Sequence, residues 1–281
     1  MGQTASTSLR PIVIEPGRAD RRYWVDLWEY RDLFLVLAWR DVAVRYKQTL
    51  IGTAWAVVQP VLSMLVFTIV FGRIAKLPSD GSAPYALMVM AGLLPWQLFA
   101  SSLSGAANSL IGNANLIGKV YFPRLIVPTS AMAVALVDFL VGLVIFFTLL
   151  LANGVLPGWR VVFLPVLFLM ALLASLGPSL WIASLNVKYR DFRYVVPFIL
   201  QFGLYVSPVG FSAAVVPESW RTLYSVNPMV AVIGGFRWAL LPGAAPPSAT
   251  SLASWAMVSA SLLWLGIRQF RRMERQFADV I

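Results

Sequence analysis

Residues 125–159 read LIVPTSAMAVALVDFLVGLVIFFTLLLANGVLPGW, and Asp138 is the one charged residue among them. A helix needs roughly 20 mostly apolar residues to cross the hydrocarbon core of a bilayer. This stretch therefore reads as a transmembrane span with its turn. The same test, applied outward to the other gaps between charges, gives five more. They are 48–71 or 72, a span within 81–118, then 161–187, 194–217, and a shorter one at about 250–267 that ends against Arg268 and Arg271. With 125–159 as the third in order, there are six, which puts both ends of the chain on one side.

Composition agrees. Of 281 residues, 59% are hydrophobic and 12% charged, with a mean hydropathy of +0.76. Soluble domains carry about twice that charged fraction. There is no Cys and no His, which removes disulfides, thiolate nucleophiles, the commonest zinc ligands and any imidazole base. The net charge of +10 does not point to nucleic acid, because the Lys and Arg residues lie between apolar runs and not on one solvated face. The first 20 residues hold no uninterrupted apolar stretch, and the nearest, 33–39, is seven residues long before Arg40 and Asp41, so no cleavable leader is expected.

Orientation follows from the basic residues, which are enriched in cytoplasmic loops. Eight precede span one, two follow span two (Lys119, Arg124), three follow span four (Lys188, Arg190, Arg193) and four lie in the tail. The other side holds five: Arg73, Lys76, Arg160, Arg221 and Arg237. Both termini are expected in the cytoplasm.

Two segments are neither spans nor simple loops. Residues 20–47 place Trp24, Leu27, Trp28, Leu35, Ala38 and Val42 near helical spacing, so they read as an amphipathic helix lying in the cytoplasmic interface. Residues 217–241 hold two short helical pieces, the first opened by Pro217-Glu218 and stopped by Asn227-Pro228, the second ended by Pro242-Gly243. They are too apolar for a solvated loop and too short to span, so a re-entrant helical hairpin between spans five and six is expected. The fold class is thus an all-α integral membrane protein, divided into a tail (1–19), the interfacial helix (20–47), a six-span domain (48–268) and a cytoplasmic tail (269–281).

Chemistry-bearing residues are few. Gly112 to Val120 is a near miss for a phosphate-binding loop: five residues separate the glycines where four are needed, and Val120 lacks the hydroxyl that reaches magnesium. The segment is a polar turn or a docking helix for a partner, and ATP hydrolysis must come from elsewhere. Asp138 sits about 21 Å along a helix from Arg124, near mid-membrane. It either makes an interhelical hydrogen bond or lies on a substrate path; no second titratable group within the spans completes a proton relay. Trp96, Phe99, Tyr205, Phe211, Trp220 and Tyr224 form either an interfacial belt or a stacking surface whose faces suit the C–H faces of sugars. Arg40, Arg45 and Lys47 either anchor the positive-inside end or hold an anionic lipid head or pyrophosphate. A membrane-embedded glycosyltransferase would need clustered acids, and those beyond the N-terminal segment (Asp80, Asp138, Asp191, Glu218, Glu274, Asp279) are scattered, so no catalytic site and no metal site is expected.

Several strings occur in a telling order: Tyr30-Arg31-Asp32-Leu33, Arg40-Asp41, Arg45-Tyr46-Lys47-Gln48, Leu50-Ile51-Gly52-Thr53-Ala54-Trp55 with Gln59-Pro60, Gly92-Leu93-Leu94-Pro95-Trp96, Lys119-Val120-Tyr121-Phe122-Pro123-Arg124, Tyr189-Arg190-Asp191, Ser207-Pro208-Val209 and Asn227-Pro228-Met229. Together, from about residue 12 to the tail, the chain resembles the membrane subunit of bacterial ABC exporters for O-antigen, capsular and teichoic-acid polymers. The resemblance implies a homodimer in the inner membrane with two copies of a separate cytoplasmic ATPase, which would hold the ATP and magnesium, and a lipid-linked polysaccharide as substrate. It implies that residues 113–122 are the coupling helix, with Asn115, Leu116, Ile117 and Lys119 against the ATPase. Residues 20–47 would be a cytoplasmic gate, 217–241 outer re-entrant helices, and Tyr189-Arg190-Asp191 a border of the cytoplasmic entrance. Efflux of a small lipid or drug by the same architecture is the alternative.

Overall fold

The computed structural model describes residues 19–47, 52–189, 191–274 and 277. Among them the chain is helical and has no strand. The interfacial segment forms two helices, α1 (Ala19–Glu29) and α2 (Arg31–Lys47), separated by a turn at Tyr30. The expected stripe is split: Trp24, Trp28 and Leu35 are exposed, while Ala38 is buried, as is Leu37 beside it. Outward aromatic and aliphatic side chains beside Arg31 and Arg40 are what an interfacial helix presents to lipid.

Next come α3 (Gly52–Phe67), which runs on as a π-helix through Thr68–Ile74, and α4 (Tyr85–Gly112). The short α5 (Ala114–Lys119) leads to α6 (Ile126–Ala152). A 3₁₀ turn at Trp159–Phe163 opens α7 (Leu164–Lys188), which is followed by α8 (Phe192–Val206). Then α9 (Glu218–Tyr224), α10 (Pro228–Leu240) and α11 (Ala249–Glu274) complete the chain. The start of α10 shows how its sequence makes a boundary. Asn227 accepts a hydrogen bond from the Met229 N–H at 3.0 Å, and Pro228 sits at the first helical position, where its missing N–H costs nothing.

Among the described residues, five helices are long and apolar enough to cross a membrane: Ala54–Ile74, Tyr85–Gly112, Ile126–Ala152, Trp159–Lys188 and Ala249–Glu274. The segment read as span five is a helix of 15 residues, about 22 Å at 1.5 Å per residue, against a core of about 30 Å. Helix α4 is the central one, packed by α3, α6, α7, α8 and α10. In its most apolar window 72% of the residues are buried, against 11% for α3, so α3 leaves most of its surface to lipid or to a partner.

Two buried clusters sit at opposite ends. One joins α4, α6, α7 and α10 through Met90, Leu94, Phe139, Phe146, Ile233 and Phe236. The other gathers Tyr23, Leu37, Ile117, Phe122, Phe270 and Phe277, so that α1, α2, α5 and the end of α11 meet. Tyr23 donates to Glu274 at 3.3 Å, and the Arg271 guanidinium lies 4.8 Å from the Tyr23 ring centroid.

Helices α7 and α11 approach closely where both present glycine. A Cβ on Gly266 would stand 2.3 Å from the Gly177 carbonyl oxygen, and one on Gly177 would stand 2.5 Å from the backbone of Leu262. Small residues at such a crossing let backbones touch, the main source of helix association in lipid. Gly266→Ala is therefore expected to separate the helices and destabilise the protein by about 1–3 kcal/mol, as overpacking does. The check is the thermal midpoint in detergent; an unchanged midpoint would remove the crossing from the account.

Candidate functional site

The C-terminal end of α2 lies along the middle of α6. There the Arg45 guanidinium contacts the Asp138 carboxylate at 2.8 Å, and the Tyr46 hydroxyl donates to the other carboxylate oxygen. Burial, then the hydrogen bond to Asp138 and its charge, raise the Tyr46 phenol above its ordinary pKa, so it stays a neutral donor. Asp138 thus makes an interhelical bond, with partners on α2 and not on a neighbouring span.

The same contact borders a cleft of about 510 Å³ between α2, α4 and α6. Asp41 and Arg45 line it from α2, and Ser101, Ser104 and Asn108 line it from α4. Polar residues on a central helix would be costly against lipid. Here they face a cleft whose rim holds Asp41 and the Asp138-paired Arg45, suited to a hydroxyl-rich headgroup.

The other basic candidates are placed differently. Arg40 donates to Asn113 Oδ1 at 2.7 Å and pairs with Asp41 at 2.7 Å, which ties α2 to the first residue before α5. Lys47 is exposed, its ammonium 5.9 Å from the Trp39 ring. Arg190 lies outside the described residues. On α5 the side chain of Ile117 is buried and Leu116 half-buried, whereas Asn115 and Lys119 are exposed. The helix is shorter than the segment 113–122, since Val120 is already extended; Val120 and Tyr121 are nevertheless exposed beside it, and the sequence reading did not include them as contacts.

The aromatic candidates fall into separate groups. Trp96 is buried under Gly203, where a Cβ would stand 2.7 Å from the ring, and it lies 5.5 Å from half-buried Phe99. Phe211 and Tyr224 are 6.4 Å apart; Trp220 is exposed on α9. Tyr205 is exposed and stacks on Phe67 at 6.4 Å. It is one of a row that the sequence reading missed: Tyr194, Phe198, Phe202 and Tyr205 are all exposed, with Gln201 among them. Their spacing of four, four and three residues puts them on one face of α8. That spacing was the available signal. Among the described residues no group of three acids is placed to hold a metal.

Comparison with known proteins bears on this arrangement. The family profile described as ABC-2 type transporter matches residues 32–241, from α2 through α10. The chain belongs to the ABC-2 type transporter family. Among proteins similar to this ABC-2 chain is the O-antigen export system permease protein RfbA of Myxococcus xanthus, 31% identical over 91% of this chain and 98% of the relative. The protein of the same name from Klebsiella pneumoniae is 26% identical over 89% and 95%. The polysialic acid transport protein KpsM of Escherichia coli is 24% identical over 84% and 91%. As an ABC-2 permease with several apolar helices, the chain is a multi-pass protein of the inner membrane.

Proposed function

We propose that the chain is the membrane subunit of an ATP-driven exporter that moves a lipid-linked polysaccharide from the cytoplasm outward through a homodimeric channel. The observation that carries this reading is the likeness to O-antigen export permeases over nearly the whole of both chains. The geometry supports it. The cleft beside Arg45, lined by Ser101, Ser104 and Asn108, suits a hydroxyl-rich headgroup, and the aromatic face of α8 suits sugar rings, which pack their C–H faces on aromatic faces. Helices α3 and α8 both leave apolar faces uncovered, and a second copy packed there would enclose the row on α8.

In this reading α8 and its continuation through residues 207–212 make a sixth crossing, α9 and α10 form the re-entrant hairpin, and both ends lie in the cytoplasm. The contact of Tyr23 with Glu274, which brings the two described ends together, supports an even number of crossings. ATP and magnesium belong to a separate ATPase, two copies per dimer, seated on Asn115, Lys119 and the neighbouring Tyr121. The Arg40 bond to Asn113 then links the seat directly to the gate helix.

Deletion of residues 116–119 is expected to abolish co-purification of the proposed partner ATPase and to reduce surface polysaccharide to the level of a strain lacking the chain. Intact association and export would remove α5 from the coupling role. Unchanged polysaccharide in the strain lacking the chain, with altered sensitivity to small amphiphiles, would instead establish efflux of a small lipid or drug.

A further inference from the structure

At the end of the molecule opposite α5, the α9–α10 pair, the bend after α8 and the segment leading into α11 close around a cavity of about 330 Å³. Ligand pockets run from about 300 to 1,000 Å³, so this one has room for a small molecule or a single unit of a larger one. Its wall is rich in hydroxyls, among them Thr222, Tyr224 and Thr250, and Pro208, Pro246 and Pro247 give it apolar patches.

The buried cation of the wall is matched: Arg237 pairs with Asp80 at 2.8 Å, while half-exposed Arg221 turns to Glu218, outside the lining, at 3.3 Å. What is unmet, among the described residues, is hydrogen bonding. Arg237 is 3% exposed, and its Nη1 and Nη2 donate to Asp80 and to the carbonyls of Phe211 and Val209, but its Nε–H has no acceptor there. The Tyr224 hydroxyl is likewise buried and unpartnered. Two such groups in the wall of one cavity are unusual, because buried polar groups nearly always find partners.

We propose that this cavity is a subsite for one uncharged sugar unit of the transported glycan, an assignment that rests on the export reading above. A free N–H and a free phenol match the oxygens of a sugar, the phenol both giving and accepting, while the prolines pack on its C–H face. Its buried cation, Arg237, is matched by Asp80, so the inner wall offers no excess charge to favour an anion. Tyr224, read from the sequence as a stacking residue, acts here through its hydroxyl.

The test uses the purified chain in lipid nanodiscs, with saturation-transfer NMR on the methyl glycosides of glucose, mannose, galactose and N-acetylglucosamine, and on methyl glucuronide as the charged probe. At least one neutral glycoside is expected to receive saturation in preference to the glucuronide. Tyr224→Phe removes a hydroxyl that makes no bond in the fold, and is expected to weaken binding about tenfold, the worth of one good hydrogen bond. Gly234→Leu is expected to abolish the signal: a Cβ there meets only Pro247, at 3.7 Å, and the longer side chain enters the cavity. Absence of binding by every neutral glycoside, preference for the glucuronide, or binding unchanged in Tyr224→Phe overturns the subsite. Surface polysaccharide in a strain lacking the chain separates the two readings. If polysaccharide is lost while the glycosides fail to bind, the subsite falls and export stands; if it is unaffected, export falls and the subsite with it.

Discussion

Arg237→Ala is expected to leave almost no folded protein in the membrane. The guanidinium is 3% exposed and gathers two separate pieces of chain onto α10: Asp80 from the segment after α3, and the carbonyls of Val209 and Phe211 from the bend after α8. Ser212 donates to the same Asp80 carboxylate, so the bend is held twice. Truncation strands a carboxylate and two carbonyls, and removing one partner of a buried ion pair costs about 3–5 kcal/mol. That is comparable to the lower range of net folding stabilities, about 5–15 kcal/mol. Lysine keeps the charge but cannot reproduce the fork, so Arg237→Lys is expected to fall between.

The double variant makes the cause visible. With Asp80→Leu added to Arg237→Met, no charge is left stranded, and accumulation is expected to recover relative to Arg237→Ala, as apolar replacements of buried pairs often do. Membrane-fraction yield and size-exclusion profile measure all four proteins. Normal yield of Arg237→Ala would show that the pair does not hold the bend. Failure of the double variant to recover would place the cost in the lost carbonyl bonds and not in the orphaned carboxylate.

This contact also marks where the sequence stopped being readable. Arg237 counted only as one of five basic residues on the far side, because nothing in a linear reading joins it to an acid 157 positions away. The spans were legible wherever charge was missing, as in residues 125–159. Their roles were not, since hydropathy responds equally to lipid and to protein neighbours. Helix α4 and helix α3 are similarly apolar, yet one is the centre of the bundle and the other is nearly bare. The fifth span shows the converse limit: 194–217 is apolar throughout, but its helix stops at Val206 and the chain turns at Ser207 and Pro208. The Gly92-Leu93-Leu94-Pro95-Trp96 string drew notice as a resemblance, and its first residue has a physical use, for a Cβ there would stand 3.3 Å from the Arg237 guanidinium.

Asp138 was legible as the acid inside an apolar helix, and its partner was not. Its expected consequence is the second large effect: Arg45→Ala is expected to lower surface polysaccharide at least about tenfold. The pair pins the C-terminal end of α2 to mid-α6, at the rim of the polar cleft. Arg45 is half exposed, so its attraction alone is worth about 1 kcal/mol or less, as for surface pairs. Asp138 is different. Its side chain is 17% exposed and sits in the middle of α6, where an acid costs about 2.5–3.5 kcal/mol on insertion scales. Without Arg45 that cost is relieved only by the Tyr46 hydroxyl, and the carboxylate must draw water into the α2–α6 contact. The damage from Arg45→Ala therefore comes mainly from the acid left behind. It follows that Arg45→Ala combined with Asp138→Ala should export better than Arg45→Ala alone, although both partners are then missing, and Tyr46→Phe should be milder than either single change. Two residues acting independently would show effects that multiply. A double variant that exports worse than Arg45→Ala by the full factor of Asp138→Ala would mean that the two side chains serve different steps, and that the end of α2 is held by its packing on α6 alone.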